Sequence, residues 1–246
     1  MPQGRASAND PLEPLNRKVF AFNDAFETAV LEPVAKAYAA IVPQFFRDRF
    51  RAFVDNLAEP RIFVNDVLQA RFNAAGMTFT RFVANTILGV GGFFDYASSH
   101  GFPRQSGDFG QTLYAWGVDS GPYLVLLFLG SSNVRDTIGL GVDFATTPPA
   151  LVVHGHDAAV ASFAIGVVGG IDVFSRNIDA LDALKASSLD YYTHFRSVFQ
   201  QHRAAVLRET RAPHEAPGAE TEPGATPADP GATPADPEAT PKDAQP

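Results

Sequence analysis

The sequence predicts an all-α protein followed by a disordered tail, and three observations carry that reading. Apolar residues recur at helical spacing in several segments. Strand patterning is confined to one short run. The last 35 residues hold nine Pro and nine Ala and no Leu, Ile, Val, Phe, Met, Trp or Tyr. Such a tail buries too little surface to offset its ordering entropy. The expected organisation is a disordered segment over 1–9, a helical domain over 10–211 and a Pro/Ala/Asp-rich tail over 212–246.

The helices follow in order. Leu15, Val19, Phe22, Phe26 and Val30 step by four, three, four and four, which makes one helical face that Pro33 is expected to end. Phe46, Phe50, Phe53 and Leu57 make a second, opening after Pro43 and expected to close before Pro60. Ile62 to Leu68 forms a short third. Phe79, Phe82, Val83 and Ile87 mark a fourth, ending at Gly89. Ala158 to Ile171 is an apolar run of 14 residues, a length that suits a buried helix or an interfacial one. Leu189, Tyr192, Phe195, Phe199, His202 and Val206 form the cleanest amphipathic helix. Tyr123–Leu129 is the single strand-like run, and a buried helical turn fits it equally.

Two segments break the ordinary pattern. Thr86–Asp95 is apolar yet carries Gly89, Gly91 and Gly92. Glycine weakens a helix by roughly 1 kcal/mol relative to Ala, and what it offers is close backbone approach or unusual dihedrals. Gly121–Gly130 is apolar between two turn signals. Both read either as buried core turns or as apolar hairpins that dip into a lipid leaflet.

Composition narrows the function. Charged residues make up 19% of the chain and hydrophobic ones 46%, with 21 Phe against six Tyr and one Trp. Phe has no polar atom to satisfy, so it suits a dry core or a lipid contact. The net charge is −8, and seven acids against one base place −6 of it in residues 212–246, leaving −2 for the body. A nearly neutral body argues against nucleic-acid binding, which needs a basic face. No stretch reaches the 18 apolar residues of a spanning helix, and barrel-type alternation is missing. The absence of Cys excludes disulfides, thiolate metal sites and a thiol nucleophile.

Enzymatic readings find little support. His154-Gly-His156-Asp157 has the spacing of two zinc ligands, but no further His lies near it. No Gly-x-Ser-x-Gly elbow is present. Gly89-Val-Gly-Gly92 follows no strand and misplaces the third glycine of a dinucleotide loop. Neither catalysis, a metal nor a cofactor is expected.

A series of motifs then gives a resemblance. Asp10-Pro-Leu-Glu-Pro-Leu-Asn-Arg17, Phe20-Ala-Phe-Asn23, Asn56-Leu-Ala-Glu-Pro60, Thr80-Arg-Phe82, Asn85–Asp95, Asp108-Phe-Gly-Gln-Thr-Leu113, Trp116-Gly-Val118 and Leu129–Asp136 appear in that order. With Ser188–Tyr192, Arg196, Phe199-Gln200 and Arg203 they resemble the MlaA (VacJ) family over roughly residues 10–203. Tyr191 and Phe199 depart from the family's usual Pro and Tyr.

The resemblance implies a ring-like, all-helical, membrane-embedded domain around an amphipathic central channel. It implies a place in the periplasmic leaflet of the outer membrane of a Gram-negative bacterium, beside a trimeric porin. The implied task is removal of mislocalised phospholipid from the outer leaflet and its transfer to the periplasmic carrier MlaC. A non-catalytic outer-membrane scaffold or lipid-binding module is the alternative. Family members are lipoproteins. After Met1 this chain continues Pro2, Gln3, Gly4, Arg5 without an apolar stretch, so a truncated N-terminus is the expectation.

Site candidates follow from the resemblance and the two apolar segments. Asn85, Gly89, Gly91, Gly92, Phe94 and Asp95 are candidates for the channel or its gate. Arg81, Arg135 and Asp136 either guide a phosphate head or fix helices. Phe20, Phe22, Phe93, Leu126, Leu127 and Phe128 are candidates for membrane contact, although Phe20 and Phe22 suit a core equally well. Asp10, Glu13, Asn16 and Arg17 are expected to form a helix-start network.

Overall fold

The protein is described here by a computed structural model covering residues 10–146 and 156–211, the side chains of 156–159, 161–162 and 211 excepted. The expected terminal segments 1–9 and 212–246, and His154, lie outside the described residues.

The first helix, α1 (Glu13–Phe26), continues through a π-helical turn (Glu27–Leu31) into α2 (Glu32–Ile41). Pro33 was expected to stop this run and does not. The Glu32 amide donates to the Glu27 carbonyl, one residue further back than in an α-helix. That widened turn relieves the clash a proline ring makes with the preceding turn. Pro60 likewise lies inside α3 (Gln44–Leu68), so the two helices expected on either side of it are one. A proline in mid-helix costs about 3 kcal/mol, and the long interface of α3 with α4 (Phe72–Ile87) offsets it. Side chains flanking Pro60 serve that interface. Asn56 donates to Thr86 at 3.1 Å, and Glu59 accepts from Arg81 at 2.9 Å.

After a short α5 (Tyr96–Ser99) come α6 (Phe109–Ala115), a hairpin of β1 (Tyr123–Leu126) and β2 (Gly130–Asn133), and α7 (Val134–Ala145). The strands pair antiparallel with Tyr123 opposite Asn133 and Leu126 opposite Gly130. The strand-like run thus resolves into a strand and an exposed tip. The long α8 (His156–Ala186) packs on α2, and α9 (Tyr191–Arg211) closes the described chain.

Two asparagines stand in for a third strand. Asn16 donates to the Tyr123 carbonyl and accepts from the Val125 amide, both at 3.0 Å. Two turns further along α1, Asn23 donates to the Leu126 carbonyl at 2.9 Å and accepts from the Phe128 amide at 3.0 Å. An open edge strand would otherwise leave these backbone groups bare. Tyr123 and Val125 join a buried cluster with Tyr192, Val19, Phe20 and Phe199.

The distribution of polarity is inverted. Among the described residues, twenty polar or charged side chains are buried against ten apolar ones, and Arg81, Glu59, Asp66 and Asn16 are among the most enclosed. Large apolar side chains face outward along α2, α3, α4, α7 and α8. Monomeric soluble proteins rarely expose contiguous apolar surface on this scale. No helix of the described residues is long and apolar enough to cross a membrane.

Candidate functional site

Arg203, in the fourth turn of α9, ties several elements of the helical body together. Its guanidinium donates to Asp108 at 2.7 and 2.9 Å and to Asp136 at 2.8 Å from two nitrogens. Asp108 is also the N-cap of α6, accepting from the Gln111 amide at 2.7 Å. Asp136 sits in the first turn of α7, where Asn133 is the N-cap. One cation therefore ties two helix starts together, and the carboxylates lie where helix dipoles favour negative charge. Burial opposes the charge of Arg203, yet its bonds to Asp108 and Asp136 hold its pKa above the ordinary range. Burial alone would raise Asp136, but Arg203 and Arg135 hold it below the usual carboxylate range.

A second polar node lies on the adjoining faces of α3, α6 and α7. Asn65 accepts from the Thr112 hydroxyl at 2.8 Å and donates to Asp143 at 3.3 Å. Asp143 also accepts from the Phe109 amide at 3.0 Å and pairs with Arg61 at 2.9 Å.

Two cavities open beside these nodes. The first, about 360 Å³, is amphipathic. Leu126, Leu129, Leu140, Phe199 and Val206 share its wall with Arg61, Asp108, Asp136, Asp143 and Arg203. The second, about 640 Å³, is lined chiefly by polar groups, including Arg61, Arg71, Arg104, Gln111 and Glu209. Arg61 and Asp108 belong to both walls, so the cavities are neighbours. A wall of mixed character offers dry contact to apolar groups and partners to polar ones.

The candidates named from the sequence fall into three groups. Arg81, 1% exposed, is consumed internally: it donates to Glu59, to Ser98 and the Phe102 carbonyl, and to both oxygens of Asp95 at 3.2 and 3.3 Å. Asn85 joins it, donating to Asp95 at 3.2 Å and accepting from the Ala97 amide at 2.8 Å. Burial would raise Asp95, but hydrogen bonds from Ser98 and the charge of Arg81 hold its pKa low. Arg135 is 2% exposed, pairs with Asp136 at 3.0 Å and lies over the Tyr114 ring. Of the two roles open to these arginines, the geometry favours fixing helices, since neither Arg81 nor Arg135 lines either cavity. Asp136 does line the amphipathic one.

The Gly-rich stretch forms a tight turn. Val90, Gly91 and Gly92 all have positive φ, and the amides of Gly91, Gly92 and Phe94 each donate at 2.9 Å to carbonyls between Asn85 and Gly89. A Cβ at Gly89 would meet the Phe94 carbonyl oxygen at 2.1 Å, and one at Gly92 would meet Asn56 at 2.5 Å. These glycines permit close approach in a hydrogen-bonded turn.

Both apolar segments are exposed at their tips, against the buried-turn alternative. Ile87, Val90 and Leu88 are 71, 66 and 57% exposed, and Leu129 and Phe128 are 67 and 58% exposed. Phe22, Phe93, Phe94 and Leu127 are outward as well, with Phe94 under the Arg49 guanidinium. Leu126 is half-buried in the cavity wall. Phe20 departs from the membrane-contact expectation: its ring sits 5.1 to 5.7 Å from those of Tyr191, Tyr192 and Phe195. It is part of the aromatic cluster.

Asp10, Glu13, Asn16 and Arg17 do form a network, and it reaches further than a helix start. Asp10 accepts from Asn16 at 2.7 Å, from the Tyr192 hydroxyl and from Arg196 at 2.7 Å. Arg17 pairs with Glu13 and Asp190, both at 2.7 Å. Sequence reasoning missed Arg61, Arg71, Arg104 and the pairing of Arg203 with its two aspartates, whose partners lie 67 and 95 residues away. His156 and Asp157 begin α8 with side chains outside the described ones, and no group of His, Asp and Glu placed to hold a metal occurs among the described residues.

Comparison with known proteins agrees with this architecture. The sequence profile described as MlaA lipoprotein matches residues 8–206. Proteins named intermembrane phospholipid transport system lipoprotein MlaA are similar: that of Escherichia coli is 35% identical over 222 residues, covering 89% of this chain and 85% of its own. That of Haemophilus influenzae is 34% identical over 197 residues, covering 78 and 77%. An uncharacterised protein of Rickettsia felis is 36% identical over 202 residues, covering 81 and 78%. A solved chain from work on the structural basis for maintenance of bacterial outer membrane lipid asymmetry superposes with a TM-score of 0.70 at 33% identity, covering 80% of this chain and 98% of that one. With a profile match across the helical body and MlaA relatives 34 and 35% identical over 78 and 89% of its length, the chain belongs to the MlaA lipoprotein family.

Proposed function

We propose that this protein removes mislocalised phospholipids from the outer leaflet of the outer membrane and passes them towards the periplasm, so maintaining lipid asymmetry. The observation that carries the reading is the inverted polarity: a charged, hydrogen-bonded interior with an amphipathic cavity, inside a shell of outward apolar side chains. Bringing an unpaired polar head through hydrocarbon costs several kcal/mol. A wall bearing Arg61, Asp136 and Arg203 together with Leu126, Phe199 and Val206 lowers that cost for the head while it accepts the tails.

The apolar tips at Ile87–Phe94 and Leu127–Leu129 support a position in one leaflet, which on this reading is the periplasmic one. Irregular backbone at membrane depth is tolerable where protein satisfies its polar groups, as Asn23 does for Leu126 and Phe128. On the same reading a trimeric porin flanks the outward apolar surface, and the periplasmic carrier MlaC receives the lipid. The lipid moves without covalent change, and no enzyme activity is assigned.

Deleting the gene in its native host and measuring phospholipid on the cell surface tests the function. Surface phospholipid should rise and return to its original level when this chain is restored. No rise on deletion would contradict the reading.

A further inference from the structure

The larger cavity carries both signs of charge in a particular order. Arg61, Arg71 and Arg104 stand in its wall with two acids, Asp108 and Glu209. Asp108 is already held by two bonds from Arg203, and Arg61 by Asp143. That leaves Arg71, Arg104 and Glu209 as the charges with capacity to spare.

Arg71 is 91% buried by its side chain and donates to the Ser106 carbonyl at 3.2 Å and to Gln69 at 3.4 Å, with Asp66 as its ion-pair partner at 3.5 Å. Its Nε has no hydrogen-bond partner at all. Arg104 pairs with Asp55 at the half-exposed rim, a contact that water weakens and that an anion can replace. Gln111, 1% exposed in the same wall, keeps Oε1 without a donor. Glu209 is exposed and forms no ion pair among the described residues. The wall thus holds a guanidinium Nε without an acceptor, an amide oxygen without a donor and a carboxylate outside any ion pair among the described residues.

We propose that this cavity binds the zwitterionic headgroup of an amino-phospholipid, with the phosphodiester on Arg71 and Arg104 and the primary ammonium on Glu209 and Gln111. This rests on the reading of the chain as a phospholipid carrier and names the class of lipid it takes. A guanidinium binds phosphate oxygens through two parallel bonds. An ammonium brings three donors and a positive charge to a carboxylate and an orphaned amide oxygen. A phosphoglycerol head would engage the arginines but would leave Glu209 facing a neutral hydroxyl. Because Arg61 and Asp108 are common to both cavities, a lipid can keep its head here and its tails against Leu126, Leu129 and Leu140 next door.

The test uses the full chain in a non-lipid detergent, offered equimolar phosphatidylethanolamine and phosphatidylglycerol with matched acyl chains. Bound lipid is counted by native mass spectrometry. The ethanolamine lipid should be enriched about fivefold. Glu209→Gln should bring the ratio near one by losing the ethanolamine lipid. Arg104→Gln should lower retention of both about tenfold. Glu32→Gln, far along the chain in a surface pair with Lys36, should leave ratio and amount unchanged, and circular dichroism should show the same helix content in every variant. Excess inorganic phosphate should not restore the ratio to one. Three results would overturn the proposal: no preference in the unaltered chain, a preference that survives Glu209→Gln, or displacement of both lipids by inorganic phosphate. If lipid is retained without preference, only the headgroup assignment fails. If no phospholipid is retained at all, the carrier reading fails with it.

Discussion

Arg203 holds Asp108 through two nearly parallel hydrogen bonds of 2.7 and 2.9 Å, although 95 residues separate them. The same guanidinium holds Asp136, so α9 is fastened to the starts of α6 and α7 at one point. Removing one partner of a buried pair leaves the other charge uncompensated, which costs about 3 kcal/mol. Arg203→Ala should therefore lower the thermal unfolding temperature in detergent markedly. Asp108→Asn added to Arg203→Ala should cost much less than it does alone, since the two share one interaction.

Asp66 behaves in the opposite sense. It is fully buried, accepts from Thr78 at 2.8 Å, and keeps Oδ1 without a hydrogen bond. Burial pushes its pKa up to about 6, with Thr78 and Arg71 pulling only partly against it. A carboxyl raised in the folded state favours folding when protonated, so its contribution is full below the unfolded value of 3.8 and is lost as pH rises through 6. Asp66→Asn should stabilise the protein at pH 8 by on the order of 2 kcal/mol, and the gain should vanish towards pH 4. Unfolding temperatures measured across that range check both the sign and the window.

The apolar tips make a prediction about membrane residence. Phe128 and Val90 are exposed on two separate turns. Burying an apolar side chain of this size in lipid is worth roughly 1.5–3 kcal/mol. Phe128→Asp and Val90→Asp should each reduce vesicle binding at least about tenfold while helix content stays the same. Flotation with liposomes provides the measurement.

The glycines of the α4 turn should rank by space and dihedral. Gly89→Ala and Gly92→Ala each force a Cβ within 2.6 Å of fixed atoms, while Gly91→Ala meets nothing within 4 Å and pays only for its φ of +70°. The first two should destabilise by more than about 2 kcal/mol and the third by about 1 kcal/mol. A flexible-hinge role would instead make Gly91→Ala as harmful to lipid clearance as Gly92→Ala, and clearance assays on the three variants separate the two accounts.

Much of the helical body was legible in the sequence because apolar spacing and breakers are local signals. The face through Leu15–Phe26 falls on α1, with Val30 in the π-turn beyond it, and that through Tyr192–Val206 falls on α9, with Leu189 ahead of its start. Pro33 and Pro60 misled because a π-turn and the α3–α4 interface outweigh a local penalty, and neither is visible in a window of residues. The site was less legible. Asp10, Asp108, Asp136, Arg196 and Arg203 could be named as motif letters, but their pairing depends on contacts between residues 67 to 186 positions apart. The cavity arginines carry no motif. Phe20 and Phe22, two residues apart, go to a core cluster and an outward surface respectively, and only the docking of α9 distinguishes them.

Passage of phospholipid along the amphipathic cavity can be caught by site-specific photo-crosslinking in growing cells. A photoreactive residue at Val206, in the cavity wall, should capture phospholipid, while one at Gln201, exposed on the same helix outside that wall, should not. Capture at Val206 that disappears when the periplasmic carrier is overproduced would agree with onward transfer. Capture at Phe128, on the exposed tip, with none at Val206 would contradict the account, because lipid would then touch only the outside of the protein.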